Sequence, residues 1–280
     1  MRTLHTVAEL RSALAQPRRE GRRVGLVPTM GAFHDGHRSL MRRARDECGL
    51  VVVSLFVNPA QFNEQSDLDT YPRDERRDAM IAVEENVDLL FAPTAAEMYP
   101  RGFATTVHVG GVASGLEGTQ RGPGHFDGVA TIVTKLLTIV APDVAYFGQK
   151  DAQQVSVVRQ LVSDLNLPPE IVACPTVREA DGLAMSSRNA LLDASERQRA
   201  LALYRALNAA QELVSGGERR AATVLAAAAA ELEQASLNPD YLALVDPSTF
   251  AAVSSVDGPT LALVAARVGS VRLIDNQLLV

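Results

Sequence analysis

Two histidines three residues apart, His34 and His37, close the stretch Pro28-Thr29-Met30-Gly31-Ala32-Phe33-His34-Asp35-Gly36-His37. At a helix start that spacing puts both imidazoles on one side, and Gly36 lets a ligand approach the backbone closely. Imidazoles that donate hydrogen bonds to phosphate oxygens stabilise charge building up at phosphorus. Two isolated histidines are more often ordinary surface or capping residues, and a zinc pair would need a third ligand nearby. The apolar run from Val24 to Val27 and the surrounding glycines favour the phosphate reading, because a strand handing over to a helix is where α/β folds gather phosphate charge.

Gly148-Gln149-Lys150-Asp151 is the second candidate. Only Lys135 and Lys150 are lysines among the 27 basic residues, so a compact ammonium is not this chain's default cation. Lys150 stands at the start of an expected helix, where the macrodipole favours anions. An ammonium fits there if it meets an anionic ligand that the helix start also attracts. Lys135, mid-helix among Leu and Ile, reads as a snorkelling side chain. Met185-Ser186-Ser187-Arg188-Asn189 sets two hydroxyls and a guanidinium on a short irregular segment, which suits a phosphate clamp, although such a stretch alone is more often a polar loop. Asn58, Gln61 and Gln154 are neutral hydrogen-bonding side chains suited to a hydroxylated substrate. Each taken singly is equally a structural cap.

The elements that must hold these residues follow from periodicity. Thr6-Val7-Ala8-Glu9 has capping-box spacing and opens a helix to about residue 15. Leu40, Met41 and Ala44 lie on one face of a helix after His37. Residues 24–27, 50–57, 88–91, 144–147 and 171–174 are short apolar runs of the kind buried on both faces of a parallel sheet. Residues 105–109 alternate like a half-exposed strand, 110–124 is a glycine-rich loop, and Asp127 is set to cap a helix to about Val140. After Pro175 the pattern changes: a turn at Asp181-Gly182, a helix capped from Asp193, an alanine-rich helix from about 218 to 234, and three strands at 241–245, 261–268 and 271–279. The expected fold is therefore α/β, a Rossmann-like doubly wound parallel sheet followed by a smaller C-terminal α+β domain, divided between 176 and 177.

Length and charge limit the alternatives. The 280 residues suffice for one large or two modest domains. A net charge of -6 argues against a nucleic-acid surface. No apolar run approaches the roughly 20 residues of a membrane span, and the first ten residues hold no apolar signal core, so a cytoplasmic protein is expected. Cys48 and Cys174 are read as reduced structural cysteines.

Five blocks in order carry a resemblance: the Pro28–His37 stretch, Phe56-Val57-Asn58-Pro59-Ala60-Gln61-Phe62, Gly124-His125-Phe126, Phe147-Gly148-Gln149-Lys150-Asp151, and Arg178-Glu179-Ala180-Asp181-Gly182-Leu183-Ala184-Met185-Ser186-Ser187-Arg188-Asn189. Together they resemble the pantothenate synthetase (pantoate–β-alanine ligase) family of the HxGH nucleotidyltransferase superfamily, over essentially the whole length. The resemblance implies an ATP-dependent condensation of (R)-pantoate with β-alanine to pantothenate, a step of the coenzyme A pathway, through a pantoyl adenylate, with AMP and pyrophosphate released and Mg2+ required. It implies that Met30 to His37, Gly148 to Asp151, Val177 and Met185 to Arg188 bind ATP. His34, His37, Lys150 and Arg188 become the catalytic set, with His37 as proton donor. Gln61 and Gln154 hold pantoate with Asn58 beside them, Asp78 is the magnesium ligand by position, residues 177–280 form a lid, and the chain is a homodimer.

Asp35 and Gln149 stand where the family has glutamates, Ala60 replaces a larger residue, and Gly122 is an extra residue before Pro123. None of these is a residue assigned to the chemistry. A nucleotidyltransferase that stops at the nucleotidyl product would lack the region after 175, and a binding-only descendant would have no reason to keep His34, His37, Lys150 and Arg188 together.

Overall fold

The β-branched runs become strands and the amphipathic runs become the helices between them. A computed structural model describes residues 1–122 and 124–280, the side chain of Ser66 excepted; the expected loop at 110–124 therefore includes one position, Pro123, outside the described residues. In chain order the elements are β1 (Arg2–Leu4), α1 (Val7–Arg19), β2 (Val24–Thr29), α2 (Asp35–Glu47), β3 (Leu50–Leu55), α3 (Gln65–Thr70), α4 (Glu75–Glu84), β4 (Leu89–Phe91), α5 (Ala95–Met98), α6 (Glu117–Arg121), α7 (Gly124–Val140), β5 (Val144–Gly148), α8 (Ala152–Asp164) and β6 (Glu170–Cys174). They are followed by α9 (Ala194–Ser215), α10 (Ala221–Gln234), β7 (Pro239–Val245), β8 (Thr260–Val268) and β9 (Val271–Leu279).

Two compact units result. The first comprises Met1–Gln149 and Val157–Pro175, the second Lys150–Ser156 and Thr176–Val280. The first carries a six-stranded parallel sheet in the order β1-β4-β3-β2-β5-β6. Its winding reverses between β2 and β5, and doubly wound sheets bind ligands at the carboxyl ends of the strands flanking that point. In this chain those ends are Thr29 and Gly148. The second unit is an α+β body with an antiparallel sheet β7-β8-β9. It has its own core, built from one face of α9, the face of α10 that carries Ala221, Val224, Ala228 and Leu232, and the inner face of β8.

Several details differ from the sequence expectation. Lys150–Ser156 groups with the second unit, where Asn276 Nδ2 of β9 donates to the Lys150 carbonyl at 2.8 Å. Residues 105–109 form no strand; the Val107 amide is satisfied instead by Thr131 Oγ1 at 2.9 Å. The glycine-rich stretch contains a 3-10 turn at Gly111–Ala113 and the short helix α6. Asp127 lies in the first turn of α7, which begins at Gly124. The Lys135 ammonium does more than snorkel, lying 4.6 Å from the Phe103 ring centre and 5.8 Å from that of Tyr99. Both cysteines are free and buried.

Candidate active site

The Pro28–His37 stretch leaves β2 and makes its turn through two consecutive left-handed residues, Gly31 (φ 91°) and Ala32 (φ 52°). A side chain at Gly31 would meet Leu55 Cδ1 at 2.5 Å and Asp78 Oδ2 at 2.8 Å, so the turn requires glycine both sterically and conformationally. Asp78, 1% exposed, fastens the turn from α4. Its Oδ2 accepts from the Ala32 amide and its Oδ1 from the Phe33 amide, each at 2.8 Å. Burial pushes the Asp78 carboxyl above the usual carboxylate range, while the two amide bonds oppose the shift. Each carboxylate oxygen of Asp78 thus holds one amide of the loop, which gives the residue a positioning job there. Among the described residues no group of three or more His, Cys, Asp or Glu side chains is placed to hold a metal ion.

His34 is the N-cap of α2, and the two histidines form a reciprocal capping box. His34 Nδ1 accepts from the Gly36 amide at 3.2 Å, and His37 Nδ1 accepts from the His34 amide at 3.4 Å. An imidazole that accepts at Nδ1 carries its proton, when neutral, on Nε2. Both rings are thus set as Nε2–H donors, with centroids 4.1 Å apart. The capping reading and the phosphate reading are compatible, since each ring serves the helix with one nitrogen and carries its donor proton on the other. Asp35 and Gly36 form the first turn of α2, and Phe33 is buried beneath it, 5.5 Å from the His37 ring.

Asn58, Pro59, Ala60 and Gln61 form a 3-10 turn past the end of β3. Asn58 is 1% exposed, and its amide is wholly engaged by Gly128 O, Gln61 Oε1, the Ala60 amide and the Tyr99 hydroxyl. Asn58 thereby supports the turn that carries Gln61. Gln61 is half-buried, and its Nε2 lies 3.1 Å from Met30 Sδ. The turn sits tightly against α7: a side chain at Gly128 would meet Ala60 O at 2.2 Å. His125 Nδ1 lies 2.8 Å from Gln61 O. Tyr99 lies outside every sequence motif and His125 stands in one without an assigned role; their partners are 41 and 64 residues away.

In the second unit Lys150 occupies a 3-10 turn, Gln149–Asp151, ahead of α8. Its ammonium lies 3.6 Å from Asp151 Oδ1 and its side chain is 19% exposed. Gln154 follows, half-buried on α8. Val177 O accepts from the Met185 amide at 3.0 Å, closing the turn that presents the Ser-Ser-Arg segment. Ser186 caps the 3-10 turn Ser187–Leu191 by accepting from the Arg188 amide at 3.2 Å, and Met185, Ser187 and Arg188 are half-buried. Beneath them Arg178 grips the buried Asp275 through two bonds of 2.6 and 3.0 Å and lies 4.6 Å from the Tyr204 ring centre. Burial raises the Asp275 carboxyl and Arg178 counters it. Asp275 and Asn276, at the chain's far end, carry no local signal that would have pointed to Lys150.

The reciprocally capped histidine pair lies just past the carboxyl end of β2, at the switch point of the doubly wound sheet, and comparison with known proteins says which family builds this fold. Residues 2–278 match the pantoate-beta-alanine ligase family. The chain belongs to that family. As a ligase it has full-length relatives: pantothenate synthetases of Heliobacterium modesticaldum, 51% identical over 99% of this chain and 98% of the relative, and of Pseudomonas aeruginosa, 51% identical over the same shares. The crystal structure of pantothenate synthetase from Thermus thermophilus superposes on this ligase with a TM-score of 0.94 at 50% identity, covering 99% of both chains. The pantoate–β-alanine ligase of Francisella tularensis, solved in complex with beta-gamma ATP and β-alanine, matches with a TM-score of 0.84 at 34% identity over 99% of this chain and 97% of that one. No helix among the described residues of this ligase is long and apolar enough to cross a membrane.

Proposed function

We propose that this ligase condenses (R)-pantoate with β-alanine to pantothenate at the expense of ATP, through a pantoyl adenylate. A carboxylate is a poor electrophile, so a pantoate carboxylate oxygen first attacks the α-phosphorus. The bond from that phosphorus to the bridging oxygen breaks, and pyrophosphate leaves with the electron pair. The amine of β-alanine then attacks the acyl carbon, AMP departs with the electrons of the acyl–oxygen bond, and the amine gives up its proton. The observation that carries this reading is the reciprocal histidine cap, which presents two Nε2–H donors beside the carboxyl end of β2.

His34, His37 and Lys150 stabilise the charge on the α-phosphate as the phosphorus is attacked, with His37 donating its Nε2 proton to a phosphate oxygen. Met30 to His37, Gly148 to Asp151 and Val177 contact the nucleotide, and Met185 to Arg188 clamp its phosphates, Arg188 as the charged member. Gln61 and Gln154 hold pantoate. Among the described residues no group of three or more His, Cys, Asp or Glu side chains is placed to hold a metal ion, so Mg2+ enters this reading with the nucleotide's own phosphates and water as ligands, and Asp78 as the candidate protein ligand by position. None of these roles is routed through the metal. A homodimer in the cytoplasm completes the reading, on family likeness alone.

The deciding experiment is isotope exchange between pyrophosphate and ATP with pantoate present and β-alanine absent. Pantoate-dependent exchange is expected. Its absence, in enzyme that makes pantothenate when β-alanine is added, rules out a free-standing adenylation step.

A further inference from the structure

The turn that carries Gln61 is held by a chain of hydrogen bonds starting at a tyrosine outside the motif. The Tyr99 hydroxyl, at the end of α5, donates to Asn58 Oδ1 at 2.7 Å. Asn58 Oδ1 also accepts from the Ala60 amide at 3.3 Å, and Nδ2 donates to Gly128 O and to Gln61 Oε1, each at 3.0 Å. A carboxamide has an oxygen end and a nitrogen end, told apart by their partners. Two donors face one end of Asn58 and a main-chain carbonyl faces the other, so only one orientation satisfies all of them. That orientation fixes the next amide. Gln61 must turn Oε1 to the Asn58 NH2 group, which leaves Nε2 as its outward donor, on the side of Met30 Sδ.

We propose that Tyr99 is a positioning residue that sets the site's preference for its acid substrate: through Asn58 it holds Gln61 with the Nε2 donor outward, selecting an acid that presents a hydrogen-bond acceptor there. The proposal rests on the reading that Gln61 touches that acid. Tyr99 suits the task for two further reasons. Its ring is packed against Phe103 at 5.1 Å and Phe56 at 6.3 Å, so the hydroxyl has a fixed origin. Burial pushes its pKa up to about 12, so the hydroxyl keeps its proton and remains a donor throughout any practicable assay.

The test is a double-mutant cycle on the full-length enzyme with Tyr99→Phe, Gln61→Ala and the pair, reading KM for pantoate, KM for ATP and kcat. Phenylalanine keeps the ring packing and removes only the donor. Tyr99→Phe is expected to raise the pantoate KM about five- to tenfold, the scale of one lost buried hydrogen bond, with the ATP KM and kcat within about twofold. In the Gln61→Ala background the same substitution should change the pantoate KM no further, because the group it positions is gone. An equal effect in both backgrounds makes Tyr99 a general support and overturns the proposal. So does a Tyr99→Phe effect that falls equally on the ATP KM. A Gln61→Ala variant with unchanged pantoate KM sinks the reading of Gln61 itself, and the relay with it. Retention of the wild-type ATP KM serves as the folding control throughout.

Discussion

At the scale of single residues the site works by dividing each side chain's capacity. His34 and His37 commit Nδ1 to the cap of α2 and carry the donor proton on Nε2, so in the proposed reading the helix start and the catalytic geometry are one structure. In the proposed reading Lys150 adds a cationic side chain to the two imidazole donors. Lys150→Ala should fold normally and lose roughly 3–4 kcal/mol of transition-state stabilisation, about 10²- to 10³-fold in the adenylation rate, the range for a key donor at a developing charge. Rapid-quench measurement of adenylate formation beside the circular dichroism spectrum checks it; a rate within threefold of wild type takes Lys150 out of the chemistry. Lys150 stands out in the sequence as a candidate because lysine is scarce here and this one follows a buried strand. Asp78 reads by position as a magnesium ligand and not as a brace for the loop, because its partners, the Ala32 and Phe33 amides, lie 46 and 45 residues away. Main-chain partners leave no trace in side-chain spacing.

At the scale of elements the legible parts were those whose local pattern agrees with their final environment. The strands β2, β3 and β5 are apolar on both faces because both faces are covered, and β7 to β9 follow their runs closely. β1 went unread because three edge residues carry too little pattern, and its pairing with β4 spans almost ninety positions (Arg2 opposite Leu89). Residues 105–109 alternate without a partner strand, which shows that period alone does not make a ladder. The least legible link is β9, the last element of the chain, which reaches back to the Lys150 turn through Asn276. If that bond holds the lysine's backbone, Asn276→Ala should lower the adenylation rate about five- to tenfold, the effect of one net hydrogen bond. The melting temperature should move by only a few degrees. Steady-state kinetics beside a thermal melt separate the cases: a large drop in melting temperature with unchanged kcat makes Asn276 a stability residue only.

At the scale of the whole molecule, charge and core architecture place different limits on function. A net charge of -6 gives no long-range attraction for a nucleotide, so anion binding has to come from local groups, which is why a histidine pair, one lysine and one arginine carry so much of the proposed site. The cores are local too. The second unit's apolar cluster is drawn from residues 183–279 alone, around α9, α10 and β8. A unit with its own core can open without the other. Leu207, fully buried on α9, tests this. Leu207→Ala should destabilise the second unit by about 2–5 kcal/mol, the cost of truncating a buried leucine. In native-state hydrogen exchange the amides of α9, α10 and β8 should lose protection by that amount, while those of β2, β3 and β5 keep theirs. Should protection fall equally in both sets, the chain unfolds as one cooperative body and the two cores are energetically a single one.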